Sequence, residues 1–256
     1  MFYKDLDVII PTYNRAPYLK IALESLCESI ATWRKIIILN NASTDNTLEV
    51  IEYICKKYPE RKIEVVTNKC NIGNPANFKK TQTLATNKYV AIFHDDDAIH
   101  PEYIDRAMQL FIENEKKVVM ISGGASALYN VNHENWSICP DSYWYYPANK
   151  NIFLQLLIGR PIFCNCIYKT DVYKNVKYEP EKFGKLHDII FMAKLCEQGD
   201  FIFVHGECVR WRQHAKSDSN TLKTGPFPSE ILNILKELKK IFCLENKKKQ
   251  LFCVNK

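Results

Sequence analysis

Apolar residues in the first 97 positions follow two patterns that alternate along the chain. Short continuous runs rich in β-branched side chains are expected for strands buried on both faces, and they occupy residues 7–11, 36–39, 63–66 and 89–93. Stretches with apolar side chains at helical spacing lie between them, at residues 19–30, 47–58 and 77–85. Because strand and helix alternate, the pattern predicts parallel βαβ units with right-handed crossovers.

The second part of the chain keeps this alternation but interrupts it with an aromatic insert at residues 125–150. Helices are predicted at residues 102–111, 153–158 and 187–196, and strands at residues 118–121, 162–168, 201–204 and 208–211. The insert either packs over the sheet or closes over a bound ligand. The predicted fold class is α/β, with a mostly parallel central sheet and helices on both faces.

Composition supports one domain, residues 1–225, followed by a basic tail, residues 226–256. The chain has 256 residues, 46% of them apolar and 25% charged, which is an ordinary globular balance. The formal charge of +6 is modest and the lysines are spread along the chain. We therefore expect an acidic, phosphate-bearing partner and no nucleic acid.

Ten cysteines are scattered without any Cys-x-x-Cys pair, so zinc is not indicated and most should be small buried side chains. The start at Met1 lacks the pattern of a secretory leader, and no apolar segment reaches about 18 residues. These features predict a cytoplasmic protein with reduced thiols.

The strongest candidate for chemistry is the stretch His94, Asp95, Asp96 and Asp97, which directly follows the apolar run at residues 89–93. Three adjacent carboxylates repel one another, and a solvated turn is the simplest explanation for them. However, ligands of open α/β sheets bind at the carboxyl ends of strands, and Mg²⁺ or Mn²⁺ often bridges carboxylates to phosphates. No glycine-rich phosphate loop is present, so the hypothesis is a metal-diphosphate site completed by basic side chains.

Six segments, taken in order, resemble the family 2 glycosyltransferases, inverting enzymes with the GT-A fold that use nucleotide-sugars. The resemblance spans roughly residues 5–220. The segments are residues 11–15 (Pro-Thr-Tyr-Asn-Arg), 40–45 (Asn-Asn-Ala-Ser-Thr-Asp), 71–73 (Asn-Ile-Gly), 95–97 (Asp-Asp-Asp), 187–188 (His-Asp) and 212–214 (Arg-Gln-His).

The resemblance implies a role for each matching residue. It implies nucleotide-sugar contacts that include the base pocket and diphosphate, from Pro11, Tyr13, Arg15, Asn41, Asn71, Asn77, Asp95, Asp96 and Arg212. It implies a Mn²⁺ or Mg²⁺ site formed by Asp95, Asp96, Asp97 and His214. Asp188 resembles the catalytic base, although it could be only a favourable charge at a helix N-terminus, and His214 could be a surface histidine.

Two departures from the family pattern affect these roles. Asn40 and Asn41 replace residues that are often acidic, which leaves the base preference open, although a UDP-sugar is the expected donor. His94 stands where many members have the first Asp, so the metal is expected to rely on residues 95–97.

The implied function is metal-dependent transfer, of hexosyltransferase type, to a glycan or lipid-linked acceptor in bacterial surface polysaccharide or lipooligosaccharide synthesis. Residues 1–97 would then form the nucleotide-binding half and residues 98–225 the acceptor half. The alternatives are a sugar nucleotidyltransferase and a non-catalytic module that binds carbohydrate or nucleic acid.

The tail is predicted to begin a helix at Ser229. Ile231, Leu235, Leu238 and Phe242 form its apolar stripe, with lysines interleaved and a Lys run at residues 247–249. Such a helix either docks on the domain or contacts an anionic membrane surface peripherally.

Overall fold

The computed structural model describes residues 1–128, 136, 142–148, 163, 165–184, 187–213 and 228–241. The predicted helix at residues 153–158 and the Lys run at residues 247–249 lie outside these residues.

The first part of the chain has the predicted alternation of strands and helices. Its elements are β1 Phe2–Thr12, α1 Ala16–Cys27, β2 Thr32–Asn40, α2 Thr47–Lys57, β3 Ile63–Thr67, α3 Asn74–Leu84 and β4 Tyr89–Phe93. The strands β1, β2, β3 and β4 pair in parallel, in the order β3-β2-β1-β4. The predicted βαβ units are therefore confirmed.

The second part completes the sheet with shorter and longer elements. These are β5 Ala98–Ile99, α4 Tyr103–Glu113, β6 Val118–Leu128, β7 Tyr143–Tyr146, β8 Asn165–Lys169, α5 Thr170–Asn175, α6 Pro180–Phe183, α7 His187–Gln198, β9 Asp200–Arg212 and α8 Pro228–Ile241. Within the described residues the sheet order is β3-β2-β1-β4-β8-β6-β9-β5, and β7 pairs with β9. The α/β class with a GT-A-like central sheet is confirmed, and β8 runs antiparallel to both of its neighbours.

Two predicted boundaries in this part are wrong. The strand predicted over residues 118–121 continues to Leu128, because its glycines allow close pairing with β9. Residues 125–128, which the sequence assigns to the insert, belong to this strand and pair with β9. The strands predicted at residues 201–204 and 208–211 are one strand, β9, which bends at Gly206. The φ of Gly206 is 99°, a left-handed backbone conformation that glycine adopts without steric cost.

The sheet is covered on both faces, which explains the uninterrupted apolar runs. Side chains of successive residues point to opposite faces of a strand, so Val8 and Ile10 join the cluster under α1, α2 and α4 while Ile9 joins the cluster on the opposite face. The second cluster lies under α3, α5 and α7. Because both faces of the sheet are covered, the polar residues that follow β1, β2 and β4 lie together at the carboxyl edge of the sheet.

The C-terminal helix α8 docks on the domain through a face that includes Leu238 of the predicted stripe but neither Ile231 nor Leu235. Ile234 and Leu238 are buried against the cluster that includes α7, whereas Ile231 and Leu235 of the predicted stripe are 41% and 49% exposed. Phe242 lies outside the described residues. The prediction of a single apolar stripe is therefore wrong: one apolar face of α8 packs against the domain, and a second faces solvent.

Of the cysteines in the described part of the chain, Cys27, Cys166, Cys196 and Cys208 are buried, as predicted for most of them. No described helix combines the length and the apolar character needed to cross a bilayer.

Candidate active site

The acidic stretch follows β4 at the carboxyl edge of the sheet, and its carboxylates are buried. Arg15, which ends the loop after β1, donates from Nη1 to Asp95 Oδ1 at 3.0 Å and to Asp96 Oδ2 at 2.8 Å. Burial raises the pKa of Asp95 to about 6, against the opposing effect of the Arg15 charge and with a further rise from Asp96. The positive charge of Arg15 thus offsets part of the repulsion between the carboxylates of Asp95 and Asp96.

Arg212, at the end of β9, forms hydrogen bonds to Asp96 and Asp97 of the acidic stretch. Its backbone N–H donates to Asp97 Oδ1 at 3.0 Å, and its Nε donates to the carbonyl oxygen of Asp96 at 2.8 Å. The guanidinium lies over the ring of Tyr18, 5.2 Å from the ring centroid. Burial lowers the pKa of Arg212, and Asp96 and Asp97 oppose that effect, so a charged guanidinium is retained beside the carboxylates.

A histidine and two carboxylates of this stretch form a donor set that fits a divalent cation. His94, Asp96 and Asp97 each offer one ligand atom, and these atoms all lie within 4.8 Å of one another. Two ligands on opposite sides of an ion are about 4.2 Å apart, twice a ligand distance of about 2.1 Å, so small side-chain rotations would close the set. Asp95 is not in this set, and Arg15 contacts both Asp95 and Asp96.

Asp188 is the second residue of α7 and lies near the acidic stretch. Its Oδ1 accepts a hydrogen bond from the Ile189 N–H at 2.9 Å. Burial raises the pKa of Asp188, while the charges of His187 and His94 act to lower it. The Phe163 ring meets both His94 and His187 edge-on, with centroid separations of 6.3 Å and 6.4 Å, so the N-terminus of α7 lies near the first residue of the stretch.

His187 is fixed by hydrogen bonds on both ring nitrogens. Nδ1 donates to the Gly184 carbonyl at 2.8 Å, and Nε2 shares a hydrogen bond with the Tyr178 hydroxyl. The Tyr178 ring meets the imidazole edge-on, with 4.7 Å between centroids. The N-terminus of α7, and Asp188 with it, is therefore held in one position.

Three buried asparagines and the exposed Asn71 form a network near the ends of β2 and β3. Asn41 Nδ2 donates to Asn71 Oδ1 at 2.8 Å, and Asn68 Nδ2 donates to Asn41 Oδ1 and to Asn77 Oδ1, each at 2.8 Å. Asn77 Nδ2 donates to the Leu39 carbonyl at 3.3 Å. Because Asn41 both donates and accepts here, an amide suits this position better than the carboxylate common in the family pattern.

The loop after β1 is fastened to the loop after β2. Asn14, at φ 50°, accepts the Thr44 N–H on Oδ1 at 2.7 Å, and its own N–H donates to Ser43 Oγ at 3.0 Å. Pro11 is buried at the end of β1, whereas Tyr13 is 39% exposed. An exposed aromatic ring on a fixed loop is a suitable surface for stacking a base.

The structure brings most of the predicted site residues to one edge of the sheet. Arg15, Asp95, Asp96, Asp97 and Arg212 are in direct contact, Asp188 is adjacent, and Asn41, Asn71 and Asn77 form one network nearby. The predicted metal ligand His214 lies outside the described residues.

Sequence reasoning missed two residues of the site. Asn68 joins the asparagine network, and its position directly after the third apolar run was the available signal. His94 joins the donor set, although its place in the acidic stretch had been read as a loss of a ligand.

Comparison with solved structures agrees with the fold. The structure of TarS from Staphylococcus aureus in complex with UDP-GlcNAc superposes with a TM-score of 0.68 at 17% identity, over 95% of this chain and 67% of that one. A mannosyltransferase from Pyrobaculum calidifontis in complex with GDP-Man and Mn²⁺ gives a TM-score of 0.55 at 14% identity, over 93% of this chain and 70% of that one. The molecule thus has the GT-A fold of glycosyltransferases.

The family follows from the sequence match. The model of glycosyl transferase family 2 matches residues 7–177, and the chain belongs to this family. Among curated relatives, it is 30% identical over 135 residues to the uncharacterized glycosyltransferase YibD of Escherichia coli, covering 53% of this chain and 38% of that protein. It is 27% identical over 191 residues to the poly(ribitol-phosphate) β-N-acetylglucosaminyltransferase TarS, covering 73% of this chain and 32% of that protein. The chain therefore spans well under two thirds of the length of these two relatives.

Proposed function

We propose that this glycosyltransferase moves a sugar from a UDP-sugar to a hydroxyl of a glycan or lipid-linked acceptor, with inversion, in bacterial surface polysaccharide or lipooligosaccharide synthesis. The observation that carries the proposal is the convergence of Arg15, Arg212 and the acidic stretch beside Asp188. The UDP-GlcNAc complex of TarS, and its name as a poly(ribitol-phosphate) transferase, support a UDP-sugar and a surface-polymer acceptor.

The chemistry follows from where charge develops. As the anomeric carbon separates from the diphosphate, negative charge grows on the leaving group and positive charge grows on the sugar. A divalent cation, when bound by Asp96, Asp97 and the residues around them, supplies stabilisation of the leaving diphosphate. In this proposal Arg15, which contacts Asp95, binds the diphosphate, and Arg212 orients Asp96 and Asp97 through its hydrogen bonds to them.

Asp188 takes the proton of the attacking hydroxyl in this proposal. Burial raises the pKa of Asp188, and a raised pKa makes a carboxylate a better proton acceptor. A base on the face opposite the leaving group allows a single displacement, which inverts the anomeric centre.

The test uses two aspartates with the same local geometry. Asp188 and Asp171 each accept a hydrogen bond from the next residue's N–H at a helix N-terminus, at 2.9 Å and 2.8 Å. Asp188→Asn is expected to lower transfer from a UDP-sugar by about 100-fold or more, whereas Asp171→Asn keeps near wild-type activity. A panel of UDP-sugars with Mn²⁺, read by release of UDP and by NMR of the product's anomeric proton, measures both.

The outcomes separate the alternatives. Wild-type transfer by Asp188→Asn would reject the assignment of the base. Retained anomeric configuration would reject the single displacement. Formation of UTP from a UDP-sugar and pyrophosphate would favour a nucleotidyltransferase, and no turnover with any donor would favour a binding module.

We further propose that α8 contacts an anionic membrane surface at the cytoplasmic face. Its solvent-exposed apolar face comprises Ile231, Leu232 and Leu235, which are 41%, 51% and 49% exposed. Exposed side chains of Lys236, Lys239 and Lys240 border this face. An apolar face with adjacent lysines suits the interface of an anionic bilayer, where a lipid-linked acceptor would be found.

Cosedimentation with vesicles containing phosphatidylglycerol tests this contact. Leu232→Ser together with Leu235→Ser is expected to reduce pelleting, and high salt to reduce pelleting of the wild type, because the attraction is partly electrostatic. Leu48→Ser together with Tyr53→Ser on α2 is the control, because these side chains are also exposed, 52% and 47%, and the charge is unchanged; it should pellet like the wild type. Equal pelleting of all three proteins, or pelleting of none, would leave α8 with a structural role alone.

A further inference from the structure

We propose that His94 is a direct imidazole ligand of the divalent cation, and that it makes the site prefer transition-metal ions to Mg²⁺. This inference rests on the metal-diphosphate site of the proposed function and deepens it. The family resemblance implies a different ligand set, in which His94 replaces a carboxylate and the ion relies on residues 95–97 together with His214.

The positions of the ligand atoms in the acidic stretch indicate a different set of metal ligands. The ligand atoms of His94, Asp96 and Asp97 lie within 4.8 Å of one another, and Asp95 is not part of this group. Arg15 Nη1 donates to both Asp95 Oδ1 and Asp96 Oδ2, so the position of the ligand atoms, and not the contact with Arg15, distinguishes the two aspartates. His94 directly follows β4, and the chain turns at Asp95 and Asp96, which brings a carboxylate oxygen of Asp96 within reach of the imidazole. Asp97 Oδ1 accepts a hydrogen bond from the Arg212 backbone N–H, which fixes the position of this carboxylate.

The imidazole of His94 is oriented by aromatic neighbours. The rings of Phe78 and Phe163 meet it edge-on, with centroid separations of 6.4 Å and 6.3 Å. Packing between two rings restricts rotation of a half-buried side chain, which lowers the entropy lost on binding an ion. Asp188 lies close enough for its charge to act on His94, and a negative charge nearby favours a cation.

The donor chemistry sets the preference among ions. Mg²⁺ is a hard ion that takes oxygen ligands and retains its water, whereas imidazole nitrogen binds first-row transition ions with affinity that rises from Mn²⁺ toward Cu²⁺. A set of one imidazole and two carboxylates therefore gains more from Mn²⁺ or Co²⁺ than from Mg²⁺. Replacing His94 by Asp would restore an all-oxygen set.

Pulsed EPR of Mn²⁺ bound with UDP to the full chain tests ligation without using activity. A nitrogen bonded to Mn²⁺ modulates the electron-spin echo, so the wild type should show ¹⁴N modulation. His94→Asp should lose the His94 contribution, and the double variant with His214→Gln should show no imidazole modulation. His100→Gln, a buried histidine outside the donor set, is the control and should match the wild type.

Equilibrium competition between Mn²⁺ and Mg²⁺ in the presence of UDP gives a second readout. His94→Asp should lower the ratio of Mn²⁺ to Mg²⁺ affinity by about tenfold, which corresponds to a difference of one decade in the dissociation constant. Unchanged modulation and an unchanged ratio in His94→Asp would overturn the proposal.

Two controls keep the result decisive. If His94→Asp does not fold, His214→Gln decides: retained ¹⁴N modulation supports His94, and its complete loss overturns the inference. If metal-dependent UDP binding is absent from the wild type, the proposed function itself fails. If UDP binding needs metal but no nitrogen is ligated, only the inference about His94 fails.

Discussion

At the scale of single residues, Asp188 depends on its neighbours for its ionisation. Burial raises its pKa, and the charge of His187 is the largest influence that lowers it. The ionised form is the base, so activity should fall as the pH drops through this raised pKa, above the ordinary range of an aspartate near 3.9.

Replacing His187 should move the acidic limb of the pH-rate profile. In His187→Gln the favourable charge is absent, the pKa of Asp188 rises further, and the limb shifts to higher pH. The measurement is kcat for transfer as a function of pH. His205→Gln, whose ring packs against Trp144 at 4.1 Å, is the control, and a limb that moves equally in both variants would contradict this account.

The asparagine network makes a second prediction at this scale. Asn68→Ala removes the donor to Asn41 and Asn77 and the acceptor of the Lys80 ammonium, at 2.6 Å. Buried amide groups then lose a partner, and the free energy of unfolding should fall by about 1–3 kcal/mol.

Urea unfolding measures this change. Asn87→Ala is the matched control, because Asn87 donates to the Lys4 carbonyl at 2.9 Å on the exposed surface, and it should cost well under half of that value. Equal losses in the two variants would contradict a cooperative network.

At the scale of elements, α8 has two apolar faces, one packed against the domain and one exposed to solvent. Ile234 is buried beside α7, whereas Leu235, one residue on, is largely exposed. Ile234→Ala should lower the free energy of unfolding by about 2 kcal/mol or more, while Leu235→Ala should change it by about 0.5 kcal/mol or less. Thermal or urea unfolding of both variants checks the docked face, and a larger loss in Leu235→Ala would contradict it.

The same helix shows where sequence reasoning stops. Periodicity predicted the existence of α8, because apolar residues recur at helical spacing. It did not identify which apolar residues face the domain, because Ile231 and Ile234 have the same hydrophobicity and only packing against α7 distinguishes them. Similarly, two strands were predicted where Gly206 bends one, since a glycine between apolar runs also marks a turn.

At the scale of the whole molecule, the parallel half was predictable and the rest of the sheet was not. Local alternation determines β1 to β4, but the antiparallel position of β8 between β4 and β6 depends on pairings far apart in sequence. The division into halves at residue 97 stays a prediction, although one sheet crosses it through the pairing of β4 with β8.

The site was predictable to the extent that it lies in loops after strands. Polar residues after β1, β2 and β4 had to meet at the carboxyl edge, which placed Arg15 beside Asp95 and Asp96. The sequence did not show that Arg212 would hold Asp97 through its backbone N–H, because that contact joins residues 115 positions apart. Nor did it show that Asp95 and Asp97 would face different partners.

The central claim is that the acidic stretch and its two arginines form a metal-diphosphate site, and calorimetry of UDP binding tests it most directly. Without a divalent ion, the buried carboxylates repel the diphosphate, so we predict UDP binding with Mn²⁺ and a loss of affinity of at least about 100-fold in EDTA. Asp96→Asn should weaken Mn²⁺-dependent binding, whereas Asp171→Asn should not. The same affinity with Mn²⁺ and with EDTA, or undiminished binding in Asp96→Asn, would contradict the account.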